Sequence, residues 1–233
     1  DYWASTTANT AAYVTATHAR ARACNCIVLD RGHNLGGEAI ALYASHDSFA
    51  TTETVLSVTL PTAATGGNID NDLGVVTEEG AWIKRFPTRA AYGTKFYVGA
   101  MGAGLVPNVV GLWVGLAVEL NPASMPWSED ASDLSYDAMK SDLAWEGAGP
   151  AGVTRSGQLL LKTGDGYEYE RLRYHVESIA RRRPFWLVYD VEQADRAACA
   201  VRPQGHFGLG LGENNWGWRS GAIPWVEHEP LTP

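Results

Sequence analysis

Cys26-Ile-Val-Leu-Asp-Arg-Gly-His-Asn-Leu-Gly-Gly-Glu-Ala-Ile-Ala-Leu-Tyr-Ala-Ser-His-Asp-Ser48 decides the reading of this chain. A short apolar run, Ile27 to Leu29, gives way to a polar turn rich in Gly and Asn. A second run, Ile40 to Ala44, ends in Ser45-His46-Asp47-Ser48. Runs of this length between glycine-rich breaks predict two strands of an all-β domain. Working outward, the same grammar continues: Tyr13–Thr17, Val55–Leu60, Gly80–Phe86, Thr94–Gly99 and Gly111–Leu120 are each bounded by Gly, Pro, Asn or Asp. No helical period interrupts them, which predicts a sandwich or jelly roll over residues 1–122.

Two prolines in Asn121-Pro-Ala-Ser-Met-Pro-Trp-Ser128 mark a domain boundary, and residues 123–233 read differently. Gln158–Lys162 is a strand. Asp165 and Glu168 have the spacing of a capping box, and Tyr169, Leu172, Val176 and Ile179 then share one helical face. A helix over about 166–182 follows, closed by Arg181-Arg182-Arg183 and stopped by Pro184. Phe185–Tyr189 predicts a strand covered on both faces.

Composition bounds the function. At 45% hydrophobic and 19% charged residues the chain is globular. A net charge of −8 argues against a general nucleic-acid binder, since phosphate affinity comes from Lys and Arg. No apolar run reaches the length of a membrane helix. Three cysteines make no disulfide framework. Alternation predicts that Cys24 and Cys26 point to one face, and a reducing cytoplasm is the expected place of assembly.

Tyr2-Trp3-Ala4-Ser5 ahead of the buried strand, the Gly32-His33-Asn34-Leu35 turn, and the strand ending in Ser45-His46-Asp47 resemble discoidin-like, galactose-binding jelly rolls as they occur in bacteriophage tail proteins. Gly93–Gly99 and Gly111–Ala117 look like that family's aromatic-rich and closing strands. The strand, capped helix and aromatic strand of the second half, with the ending Gly221–Pro230, resemble tail-tube and distal-tail proteins. The resemblance implies a mainly β chain, a discoidin-like jelly roll followed by a β-sandwich carrying one amphipathic helix. It further implies a non-catalytic structural virion protein of a tail tip or baseplate, assembled in the bacterial host cytoplasm. Its partners would be the tail tube, hub and tip proteins, within a homo-oligomeric ring, a hexamer or else a trimer. The alternative is a module reading cell-surface glycans. A concave aromatic patch at one end of the jelly roll favours sugar, and a broad flat belt favours assembly.

Candidate residues follow from both sources. His33, Asn34, His46 and Asp47 lie at strand ends, where discoidin-like domains hold ligands. Ser45 and Ser48 beside them lack the elbow context of a nucleophile, so no catalytic residue is assigned. Asn68, Asp70, Asp72 and Glu79 follow the ligand order of a calcium loop, but Leu73 stands where its sharp turn needs Gly, so no metal and no cofactor is expected. Gly208–Gly212 lacks phosphate-loop spacing and reads as a strand. Trp127, Trp145, Trp216, Trp218 and Trp225 are expected as interface anchors. Arg181, Arg182 and Arg183 would meet an acidic stretch, 129–142, on a neighbour.

Overall fold

The computed structural model describes residues 3–4, 11–102, 104–119, 128–133, 136–139, 145–149, 153–163, 184–204, 210–211 and 219–227. Among the described residues there is no helix, and the strands pair antiparallel. Chain contacts define two compact units. The first is Asp1–Ala117 with Val188–Ala198 and Pro230–Pro233, the second Val118–Leu187 with Cys199–Glu229.

The first unit holds β1 (Trp3–Ala4), β2 (Ala12–Leu29), β3 (Ala39–Ser45), β4 (Glu53–Thr59), β5 (Val75–Val76), β6 (Trp82–Val98), β7 (Asn108–Val109) and β8 (Leu112–Gly115). Its main sheet runs β4-β3-β6-β2-β8, with β5 added to β6, while β1 pairs with β7. Ile27, Leu29, Ile40, Leu42, Trp82, Phe96 and Val98 build the buried face, joined by Leu35, Leu60 and Met101 from the connections. Each such side chain contributes roughly 1.5–3 kcal/mol by leaving water.

Four strands expected separately are the ends of two long ones. Tyr13–Thr17 and Cys26–Leu29 are the two ends of β2, and Gly80–Phe86 and Thr94–Gly99 fall largely on β6. No Gly or Pro breaks Ala16–Ala23, so the backbone continues extended where the core ends and its side chains are mostly exposed. Two irregularities accommodate the length. Pairing steps from Thr17↔Gly93 to Arg22↔Ala91, leaving residues 18–21 against Tyr92 alone. It steps again from Cys24↔Arg89 to Cys26↔Arg85, leaving residues 86–88 against Asn25. Pro87, which has no N–H to give a ladder, sits in this second bulge. The bulge also corrects the expected shared face of Cys24 and Cys26, because alternation fails across it. Cys24 joins the core cluster with Ile27 and Leu29, and Cys26 does not.

The second unit contains β9 (Ser128–Asp133), β10 (Tyr136–Met139), β11 (Trp145–Gly149), β12 (Val153–Thr163), β13 (Phe185–Val188), β14 (Ala198–Pro203), β15 (Gly210–Leu211) and β16 (Arg219–Glu227). Its sheet runs β13-β14-β16-β12-β9 with β15 on β16, and β10 pairs with β11. Leu187, Val201, Ile223 and Trp225 are buried. Trp225, expected as an interface anchor, is therefore a core residue, 1% exposed. It stands between Gly157 and Pro203 in register. The expected helix 166–182, residues 121–127 of the expected 121–128 boundary, Trp127, Trp216, Trp218 and Arg181–Arg183 lie outside the described residues, as does the side chain of Trp145.

Candidate functional site

Three adjacent strands carry the candidate site. Their uninterrupted register aligns Tyr13↔Tyr97↔Ala41, then Thr15↔Lys95↔Tyr43, then Thr17↔Gly93↔Ser45 across β2, β6 and β3. The intervening residues Phe96, Val98, Ile40 and Leu42 face the core, so these three rows make the opposite face of the sheet. Beyond the third row, β2 bulges at His18 and the chain leaves β3 into residues 46–52. A cleft of about 180 Å³ opens there, lined by Thr17, His18, His46, Ser48, Tyr92 and Gly93.

The loop beside the cleft is built from its own polar groups. Ser45 Oγ accepts from the Phe49 N–H at 2.9 Å and donates to Asp47 Oδ1 at 2.9 Å. Asp47 Oδ2 takes the Thr51 hydroxyl at 2.6 Å, and Oδ1 takes the Thr51 N–H at 2.9 Å. These bonds, that from the Thr51 hydroxyl foremost, hold the Asp47 carboxyl below its ordinary range. They also hold two non-glycine residues, Ser48 at φ 57° and Phe49 at φ 68°, in the left-handed region. Such backbone costs of order 1 kcal/mol or more per residue and persists only where its surroundings enforce it. Gly93 supplies the remaining constraint. A Cβ there would lie 2.8 Å from the Phe49 ring, so only glycine lets that ring seat on the sheet. The loop thus presents His46 and Ser48 to the cleft, opposite the 46%-exposed Tyr92, whose ring meets His46 edge-on at 6.5 Å.

The expected quartet splits. His33 and Asn34 precede β3 and His46 and Asp47 follow it, so a strand of seven residues, about 20 Å at ~3.3 Å each, separates the pairs. Asn34 is a clamp: its side chain donates to Val106 O at 2.8 Å and accepts from Asn108 N at 2.7 Å. His33 Nδ1 accepts from the Leu35 N–H at 3.2 Å, and burial pushes its pKa down. Asp47 shapes the loop and does not line the cleft, whereas His46 does. No described hydrogen bond joins His46 to Ser45 or Asp47, and the Ser45 hydroxyl is already engaged by Asp47 and Phe49, so the cluster forms no relay.

The calcium-loop candidates are likewise separated by other partners. Arg85 holds the Asp70 carboxylate with two nitrogens. The buried Lys84 ammonium donates to the main-chain oxygens of Asp70 and Asn71. Asn68 Oδ1 accepts from Asp70 N, and Glu79 pairs with Arg31 at 3.1 Å. Among the described residues, no group of His, Cys, Asp and Glu is placed to hold a metal ion. Nearby, burial pushes the Cys26 thiol up to about 12, against the opposing effect of the Arg85 charge, so the thiolate that metal or electrophile would need is suppressed.

Sequence reading missed Thr17, His18, Tyr92 and Gly93. Their one signal was Gly93 in an aromatic-rich strand, where a bare position invites an approaching ring.

No family model and no curated protein matches the chain. Among solved structures, it is similar to chitosan-binding module 1 derived from a chitosanase/glucanase of Paenibacillus sp. IK-5, with 15% identity and a TM-score of 0.35. A selenomethionine-labelled mutant of that module matches at 16% identity and a TM-score of 0.36. Both matches cover 48% of this chain and 74% of the other.

Proposed function

We propose that the first unit is a glycan-binding module, with the cleft at Tyr92 as its ligand site. The observation that carries this reading is a concave cleft lined by an exposed aromatic ring and by polar side chains, where β2 bulges and the chain leaves β3. A sugar presents hydroxyl groups around its edge and C–H bonds on its faces. The Tyr92 ring offers a negative π face to those C–H bonds. His18, His46, Thr17 and Ser48 offer donors and acceptors to the hydroxyls. Shape and chemistry at this site fit recognition of a sugar.

The test is a glycan array with the intact chain, followed by titration calorimetry on the best ligand. Tyr92→Ala should weaken binding by tenfold or more, about 1.4 kcal/mol, and His46→Ala by several-fold, with the melting temperature unchanged. A folded chain that binds no neutral or acidic glycan would end this reading.

Placement of such a module in a phage tail tip is a second proposal. It rests on the resemblance of Tyr2–Ser5 and of the 32–48 segment, and a virion reconstruction without this chain at the tail would exclude it.

A further inference from the structure

We propose that the ligand is an acidic glycan chain, running from the cleft along the outer sheet face over Tyr97, Tyr13 and Tyr43, with a carboxylate-bearing sugar held at Lys95. This rests on the glycan-binding reading above and extends it in site and in ligand charge.

The first support is continuity. Thr17 and Gly93 belong both to the cleft and to the third row of the sheet face, so the cleft and the face share a floor. From Tyr13 to Thr17 is four residues, about 13 Å at ~3.3 Å each, which exceeds the span of one sugar ring. Along that track the face is aromatic. Tyr13 is 58% exposed, and Tyr43 and Tyr97 are partly exposed and meet edge to face at 6.3 Å. A face of an antiparallel sheet open to water usually carries short polar or charged side chains. Three tyrosines there expose rings that could stack against sugars and hydroxyls that could bond them.

The second support is charge. Residues 1–122 contain seven Lys or Arg and ten Asp or Glu, yet six of those seven cations lie on β2 and β6. The three strands forming the face, β2, β3 and β6, contain no Asp or Glu at all. Some of these cations are already matched: Lys84 by main-chain oxygens, Arg85 by Asp70, Arg89 by Glu53. Lys95 is different. Its ammonium lies 4.4 Å from the centre of the Tyr13 ring, with Tyr43 opposite it in register, and no carboxylate meets it among the described residues. A cation stacked on an aromatic ring, on strands that carry no carboxylate, is complementary to an anionic sugar and mismatched to a cationic one.

The test uses the full chain with oligogalacturonate and its methyl-esterified, neutral counterpart, compared by calorimetry at low and physiological salt. The acidic oligomer should bind several-fold more tightly, with the advantage shrinking as salt rises. Lys95→Gln should abolish that advantage, bringing the acidic oligomer down to the neutral one, while Tyr13→Ala should weaken both. Equal binding of the two oligomers, or an acidic preference indifferent to Lys95→Gln, would overturn the acidic assignment. Loss on Tyr92→Ala but not on Tyr13→Ala would confine the ligand to the cleft and overturn the extended track. Each of these leaves the glycan-binding reading standing. If neither oligomer binds but an array glycan does, the inference alone fails; if no glycan binds, both fail.

Discussion

At the scale of single residues, the informative ones are polar groups whose partners are internal. His33 is a ligand candidate by sequence because it lies at a strand end, where discoidin-like domains hold ligands. Its Nδ1 instead serves the Leu35 N–H, and burial favours the neutral ring. With a folded pKa below 6.5, the native state resists a proton that the unfolded chain accepts. Stability from this residue is therefore complete above pH 6.5 and falls as the pH drops below it. Melting temperature measured from pH 7.5 to 5 should decline, and His33→Asn, whose Oδ1 can still accept from Leu35, should flatten the decline. A slope unchanged by the substitution would place the titrating group elsewhere. Asn34 and Asp47 teach the same lesson, since both were legible as functional types, and only their partners reveal them as loop fasteners.

At the scale of elements, the 45–51 loop and the strand beneath it depend on one another. Phe49 in a left-handed conformation is tolerable because its ring seats over Gly93, and Gly93 leaves room because it has no side chain. Gly93→Leu should expel that ring and release the loop, costing about 2–4 kcal/mol of stability through overpacking and lost burial. Under the proposed glycan-binding function, affinity should fall with it, because His46 and Ser48 lose their position. Hydrogen exchange of the Phe49 and Thr51 amides is the direct measurement, and unchanged protection would refute the coupling. The strand cores around Ile27–Leu29 and Ile40–Ala44 were legible because buried strands are apolar runs. The exposed middles of β2 and β6 were not, because Ala, Arg and Thr there follow no burial pattern. Strand β9 was missed for a related reason: Ser128–Asp133 has three acids and two serines with Ala131 its one apolar residue, and its pairing to β12 is a long-range fact.

At the scale of the whole molecule, the division into units crosses the chain order. Residues Val188–Ala198 return to the first unit, where Glu78 N donates to Asp195 O at 2.9 Å and Arg196 pairs with Glu78 at 2.8 Å. Asn68 also donates to Glu192 at 2.9 Å. The ion pair is largely exposed and contributes little, but the backbone bond and the cover it brings to the 66–79 segment add to it. A chain ending at Ala117 should therefore fold less stably than the full protein by about 1–3 kcal/mol, read as a lower denaturation midpoint of the first unit. An equal midpoint would show that the returning segment adds nothing.

The sequence by itself determined that the described structure is mainly β, where the buried strand segments lie, and that the chain is acidic, with a net charge of −8. Each of these is a local or additive property: alternation, apolar runs and charge are carried by residues one at a time. The tertiary structure alone decided which residues share a site. It split His33 and Asn34 from His46 and Asp47, paired Asp70 with Arg85 and Glu79 with Arg31, and buried Trp225. It also brought Tyr13, Tyr43, Tyr92, Lys95 and His18 onto neighbouring strands. Register and bulges do this work, and they depend on pairing between segments tens of residues apart, which no local pattern encodes.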